Sequence, residues 1–479
     1  MNILDILYIR RNENLLAIKQ GQREITYKDL WNRIVTLSKV DVGNNENIGI
    51  YIDNSIEFIV ALFSILYTGK VATLIDVSSK AEDVFDVIEK CNIRTVWSVS
   101  KFAKELNKLD KKKINVHFAD EIENYELKEN EYFSEMILDR SDDVAVIIPT
   151  SGTTSERKYV QLTHKNIYTN FMAVNRLYRL KEGERNLLSL PLTSMFCLTV
   201  DLLVSFSAGM CVVIYEGTFS PKIFLRQLYS DKIDYFITVP AVLKALCALK
   251  DREYFKVDKI RRVTIGGEKA SLSELNEFYD AFKNAVVIYG YGMTECSPVL
   301  TTTTLDDYRE KNASVGKAIE DVKIKIVDSE GNIIKNNEIG EIIASGPNIM
   351  KGYYGKSDSN IVDGWIKTGD LGYLDDDGYL YVTGRIKNLI ISAGKNVSPE
   401  EVETTLLNSS LVSDIRVRGI KNDVFGEMVV ADIVLSNGVT VEAVKNYCID
   451  HIASYKIPKK FYVCEKIEKN SMNKIVRKV

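Results

Sequence analysis

Two short apolar runs joined by a helically spaced stretch restrict this chain more than any other feature. Ile48-Gly-Ile-Tyr-Ile52 reads as a strand. Ser55 can cap the following segment, Ile56 to Tyr67, whose apolar residues recur at helical spacing. Gly69 stops that helix, and Val71-Ala-Thr-Leu-Ile75 reads as the next strand. A strand, a crossover helix and a second strand form a βαβ unit, and parallel pairing follows. The unit recurs. Val212 to Tyr215 precedes a helix over 221–229 and a strand over Tyr235 to Val239; Arg262 to Ile265 precedes a helix over 271–283 and a strand over Val286 to Tyr289. The stretch 104–136, rich in Lys, Glu and Asn, reads as surface. The expected body is a layered α/β domain of parallel sheets.

Near residue 320 the period changes. Val322 to Val327, Gly340 to Ser345 and Gly378 to Thr383 alternate apolar and polar residues, as antiparallel hairpins of a smaller β subdomain do. Past Gly384-Arg-Ile-Lys387 the chain resumes as an α+β piece, with Ser398 capping a helix that opens at Pro399. At 479 residues the chain exceeds one ordinary core. The expected division is a large domain over 1–384 and a small mobile domain over 385–479.

Composition removes several function classes. The chain carries 62 basic and 66 acidic residues, a net charge of −4, so bulk charge gives no case for nucleic acid or anionic lipid. Three histidines (His117, His164 and His451) are too few for a His-rich metal site. Seven cysteines without a CxxC pair fit free thiols in a reducing cytosol. The N-terminus lacks a basic-then-apolar signal pattern, and Leu202 to Tyr215 is too short to span a bilayer. A cytoplasmic protein without a membrane span is expected.

Chemistry concentrates in seven segments. The apolar run Val144 to Ile148 delivers Thr150-Ser151-Gly152-Thr153-Thr154-Ser-Glu-Arg-Lys158, where hydroxyls, backbone N–H groups and a cation suit a polyphosphate. The spacing is not that of a Walker A loop. Gly266-Gly267-Glu268 follows a strand and lets backbone approach a flat ligand. Tyr289-Gly290-Tyr291-Gly292-Met-Thr294-Glu295 supplies an aromatic face, a hydroxyl and a carboxylate. Thr368-Gly-Asp370 offers a carboxylate at what reads as a turn between hairpins. Gly384-Arg385-Ile-Lys387 marks the joint, Ser392-Ala-Gly394 is a turn beyond it, and Asn473-Lys474 lies close to the last residue. Each segment alone reads more readily as a turn, a tight strand end or a solvated lysine. Their joint order does not.

With these motifs the chain resembles the ANL adenylate-forming superfamily: acyl- and aryl-CoA synthetases, adenylation domains of peptide synthetases, and firefly-luciferase-like enzymes. The resemblance runs from about residue 20 to the end. It implies ATP-dependent activation of a carboxylic acid as an acyl-adenylate with release of pyrophosphate, then transfer to a pantetheine thiol of CoA or of a carrier protein, with Mg²⁺ as cofactor. It also implies roles for individual residues. Residues 150–158 hold the β- and γ-phosphates, with Lys158 as the cation. Gly266, Gly267 and Glu268 line the adenine and acyl pocket, alongside Tyr289, Gly290 and Gly292. Tyr291 stacks on adenine, Thr294 contacts the α-phosphate and Glu295 binds Mg²⁺. Asp370 holds the ribose hydroxyls with Arg385 nearby. Lys387 is the hinge. Lys474 bridges carboxylate and α-phosphate. Rotation about the hinge withdraws Lys474 and presents Gly394 to the thiol arm.

Three departures stand out. Ser155, Arg157 and Tyr159 replace the Gly, Pro and Gly of the usual phosphate loop; Ser194 stands where a pocket-gating His is common; Asn473 precedes the lysine in place of Gly. Ser194, Met195 and Phe196, with Cys197, Leu198 and Val239, suggest a pocket for an apolar acyl or aryl acid. The segments Gly384 to Pro399 and Tyr455 to Pro458 look more like CoA ligases than peptide-synthetase modules. Two alternatives stay open: a degenerate relative that binds nucleotide without turnover, and a stand-alone amino-acid adenylation enzyme.

Overall fold

The computed structural model describes residues 1–107, 114–121, 139–150, 157–252, 255–267, 270, 272–307, 309–311, 313–356, 360–392, 394–422 and 426–468. Two large mixed sheets form the body. In one, Val286–Gly292, Arg262–Ile265, Tyr235–Thr238, Arg185–Leu188, Cys211–Ile214 and Leu16–Gln20 lie side by side and parallel. Antiparallel strands close both edges: Arg23–Thr26 at one, Val299–Thr302 and Lys317–Ala318 at the other. In the second sheet Val144–Pro149, Val71–Leu74, Asn47–Tyr51, Thr95–Ser98 and Asn115–Phe118 are parallel, and Tyr159–Thr163 and Gly352–Tyr353 add an antiparallel edge.

The expected βαβ unit is present. The Ser55 hydroxyl accepts the Phe58 N–H at 3.2 Å and starts helix Ile56–Tyr67; Gly69, at φ 73°, ends it. Apart from Glu57, every residue of this helix is buried. It shares one apolar core with Ile18 and Val212 of the first sheet and Ile48 and Val146 of the second. Each such aliphatic side chain contributes about 1.5–3 kcal/mol relative to exposure. Helices Pro221–Ser230 and Leu272–Ala281 follow strands as the apolar spacing predicts. Within the stretch expected to be surface, Asn115–Phe118 is part-exposed and forms the edge strand of the second sheet. Its half-exposed, polar-flanked sequence hides it, because an edge strand needs only one buried neighbour.

The third sheet is antiparallel, built from Lys323–Val327, Gly340–Ser345, Trp365–Leu374, Ile361–Val362 and Leu380–Arg385. It corrects one reading. Thr368-Gly369-Asp370 is no turn between hairpins but the middle of the ten-residue strand Trp365–Leu374. Gly369 takes φ 72° where the register against Gly340–Ser345 shifts, a bulge that locally mimics turn chemistry.

The fourth sheet, Lys395–Val397, Ile390–Ser392, Gly426–Leu435, Val412–Asn422 and Lys460–Val463, has an apolar core of its own beneath helices Pro399–Asn408 and Val441–His451. Ser398 caps the first of these helices, accepting the Glu401 N–H at 3.4 Å, and donates to the Thr383 carbonyl at 3.0 Å. A Cβ on Gly384 would stand 2.2 Å from the Ser398 hydroxyl, so only glycine lets the joint close this tightly. Lys244 reaches across to the Ser413 carbonyl at 3.3 Å. All seven cysteines are free, and among the described residues no helix is long and apolar enough to cross a membrane.

Candidate active site

Parallel sheets gather loops at the carboxyl ends of their strands, where ligands bind in open α/β folds. Strand Val144–Pro149 ends at Thr150, whose N–H donates to the Lys158 carbonyl at 2.8 Å; the chain then returns as antiparallel strand Tyr159–Thr163. Lys158 Nζ lies 4.5 Å from the centre of the Tyr353 ring, a cation–π contact. The Tyr353 hydroxyl donates to Glu295 Oε1 at 3.0 Å. Both Tyr353 and Glu295 are buried. Tyr353 thus joins Lys158 to the carboxylate beyond the 289–292 strand end. Sequence reading missed Tyr353, because Met350-Lys-Gly-Tyr353 carries no periodic pattern. The Met350 N–H donates to the Glu295 carbonyl at 2.8 Å and fixes the backbone there. Thr294 and Glu295 share one short 3₁₀ turn, Thr294–Cys296.

A second constellation surrounds Asp370. Tyr291 donates to Asp370 Oδ2 at 2.8 Å, and Arg385 Nε stands 2.9 Å from Oδ1. Arg385 is opposite Asp370 in the strand pair, so register alone fixes this contact. Burial pushes the Asp370 carboxyl up, and Arg385 and Tyr291 offset this only in part. Lys387 sits in the 3₁₀ turn Ile386–Asn388; burial and then Arg385 lower its ammonium, against the pull of Asp370. Asn388 Nδ2 donates to Glu400 Oε1 at 2.5 Å beside the joint.

The glycines report close approach. A Cβ on Gly292 would stand 1.8 Å from the Pro298 carbonyl oxygen, and one on Gly266 would stand 2.6 Å from Phe196 Cζ. The Phe196 ring therefore lies on the Gly266 backbone, with Val239 beside Gly267. Ser194 is half-buried near it, whereas Met195 turns into the core. Cys197 and Leu198 are buried as well. From Cys197 to Leu203 the helix is wound as a π-helix, a form frequent at functional sites. Within it Asp201 is fully buried and accepts from Asn186 Nδ2; burial raises its carboxyl to about 8 despite bonds from Asn186 and Cys197. Tyr289 is buried, its hydroxyl accepting the Ala270 N–H at 2.9 Å, and Gly290 packs on strand Val299–Thr302. Gly394, at φ 75°, has nothing within 4 Å of where a Cβ would be. Ser151, Gly152, Thr153, Thr154, Glu268 and Lys474 lie outside the described residues.

Taken together, a cation, a buried carboxylate held by a tyrosine, and a second carboxylate at a two-domain joint fit a nucleotide and a divalent cation. Residues 8–354 match the family described as AMP-binding enzyme, and residues 401–474 match the AMP-binding enzyme C-terminal domain. The chain belongs to this family. It is an AMP-forming acid–thiol ligase, activating a carboxylic acid with ATP and passing the acyl group to a thiol. It is 32% identical to the 2-succinylbenzoate–CoA ligase of Bacillus subtilis, covering 92% of this chain and 88% of that one. Among solved structures, the o-succinylbenzoate CoA synthetase of Bacillus subtilis holding its acyl-adenylate aligns with a TM-score of 0.85 at 29% identity, over 98% of this chain and 96% of that one. The same enzyme with ATP and magnesium also gives 0.85 at 29% identity, over 98% of both chains.

Proposed function

We propose that the acid is an aromatic keto acid of the 2-succinylbenzoate type and the acceptor thiol is CoA. The relative of that activity matches along nearly the whole chain, and the Phe196 ring on Gly266 gives the acid end an apolar wall. The observation that carries the nucleotide part is the buried Asp370, held by Tyr291 and Arg385 yet still destabilised as an anion. A carboxylate in that state gains from further hydroxyl donors, and two ribose hydroxyls are such donors.

The remaining roles follow the chemistry of bringing an anionic carboxylate to an anionic α-phosphate. Thr150 and residues 151–154, with Lys158, hold the outer phosphates. Thr294 contacts the α-phosphate, and Tyr291 carries adenine on its face. Glu295 has one oxygen committed to Tyr353 and is the residue that would hold Mg²⁺. When bound, Mg²⁺ spreads the negative charge of the triphosphate. Lys474 neutralises charge that grows only on the way to the adenylate, so it acts on kcat more than on binding. Residues 385–479 then turn about Lys387 and bring the open space at Gly394 to the thiol arm, a hinge motion of a recognised kind. The reaction belongs in the cytoplasm, where its nucleotide and CoA are found.

Acid-dependent pyrophosphate exchange tests the first half, and mass detection of the CoA thioester tests the second. Exchange with 2-succinylbenzoate and thioester on CoA are expected. Exchange only with other acids would remove the substrate assignment. Acyl transfer to a carrier-protein pantetheine but not to CoA would remove the acceptor.

A further inference from the structure

Two of the residues by which the phosphate loop departs from its family, Arg157 and Tyr159, are tied to one helix. Helix Ala81–Lys90 carries Asp83 and Asp86, three residues apart and so on one face. Arg157 Nη2 pairs with Asp83 Oδ1 at 3.0 Å, and its Nη1 donates to the Asp83 carbonyl at 3.3 Å. The Tyr159 hydroxyl donates to Asp86 Oδ2. Lys90 pairs with Asp86 at 2.9 Å from the next turn. Burial, then the Asp86 bond and charge, push the Tyr159 hydroxyl well up, so it remains a donor. Burial would raise the Asp86 carboxyl, but the bonds from Tyr159 and Lys90 outweigh it and hold the group below its ordinary value.

Extended backbone sends alternate side chains to opposite sides. Arg157 and Tyr159 therefore meet the helix while Lys158, between them, meets the Tyr353 ring at 4.5 Å. A proline restricts its own φ and the residue before it, whereas two side-chain tethers restrict the segment from outside. The tethers stand where the family has Pro and Gly.

We propose that Asp83 and Asp86 are positioning residues of the ATP site, holding Arg157 and Tyr159 so that Lys158 is presented to the phosphates. This rests on the reading of Lys158 as the phosphate cation. Neither aspartate touches nucleotide in it.

The test is steady-state kinetics on the full chain, with thermal melting alongside. Asp83→Asn and Tyr159→Phe are each expected to raise KM for ATP about threefold, the size of a partly exposed ion pair or a single hydrogen bond. KM for the acid and the melting temperature should stay put. Asp86→Ala should match Tyr159→Phe, and the two together should add nothing, because they break the same bond. Exchanging partners as Asp83→Arg with Arg157→Asp should recover part of the loss. Unchanged or lowered KM for ATP in Asp83→Asn and Tyr159→Phe would overturn the proposal. So would Lys90→Ala reproducing the Asp86→Ala effect, since the helix and not the tether would then be responsible. Lys158→Ala separates the two levels. If it leaves KM for ATP unchanged, the phosphate reading fails; if it raises KM while the aspartate variants do not, only the tether fails.

Discussion

Asp370 and Asp432 are two buried aspartates facing arginines across strand pairs, and burial treats them oppositely. Asp432, on Gly426–Leu435 of the fourth sheet, receives Arg416 Nε at 2.8 Å and Arg418 at 2.9 and 3.1 Å. Burial raises its carboxyl, but Arg418 and Arg416 more than compensate, and the group lies below its ordinary value. Asp370 has one arginine and one tyrosine, burial prevails, and the group lies above. The same residue pair is therefore a structural clamp in one sheet and an under-compensated anion in the other. An anion left short of donors is costly to the fold and useful to a ligand.

Substitutions can break this contrast. Asp370→Asn should have the largest effect: a loss of about 100-fold or more in kcat/KM for ATP, from two charge-assisted hydrogen bonds of about 1.5–3 kcal/mol each. Its melting temperature should be unchanged or higher. A raised folded value means that ionised Asp370 costs stability at neutral pH, a cost lifted as pH falls through that value. A clear drop in melting temperature with activity intact would place Asp370 in the structural class.

Asp432→Asn should do the reverse. It should lower stability by about 2 kcal/mol, less than a wholly buried pair because both arginines are partly exposed. Exchange activity at low temperature should stay near wild type. A lowered folded value means that the stabilisation is present above the ordinary carboxyl range and is lost as pH falls through the folded value, below about pH 4. Urea melts of wild type and variant at pH 7 should differ, and should converge on acidification. Curves that stay apart would show that charge is not the cause.

Tyr291→Phe sharpens the comparison. It removes one donor from Asp370 and keeps the ring, so KM for ATP should rise about tenfold, by the measure of one hydrogen bond to a charged group. If the ring alone matters, KM will not move. The smallest effect belongs to Lys244→Ala, which removes an exposed contact between the body and the fourth sheet. Its stability should shift by no more than about 0.5 kcal/mol, as is usual for surface changes. A larger shift would mean that the two regions are not energetically separate.

Much of the fold was legible because burial writes itself as period. Helix Ile56–Tyr67 carried its cap at Ser55 and its stop at Gly69 in plain sight. Several strands were not legible, and two show why. Asn115–Phe118 is a polar-flanked edge, and Trp365–Leu374 contains Thr-Gly-Asp, whose turn-like composition serves a bulge. Of the expected site residues, Tyr291, Glu295, Asp370 and Arg385 could be picked out by motif; Tyr291 and Arg385 meet at Asp370, and Glu295 meets Tyr353. Tyr353, Asp83 and Asp86 could not. Their importance lies in what they touch across strand Tyr159–Thr163, and pairwise contact between distant residues leaves no trace in one sequence.

The π-wound segment Cys197–Leu203 has a consequence for how this pocket can change. Each π turn holds an extra residue compared with an α turn. Deleting one residue there would restore ordinary winding, and because the wider turn had absorbed that residue, the side chains on either side would keep nearly the same direction instead of swinging by about 100°, as they would in an α turn. The direction in which Phe196 faces therefore tolerates a change in the count of residues at this one place. An insertion or deletion in the α-wound part of the same helix would instead re-aim the ring that lies on Gly266.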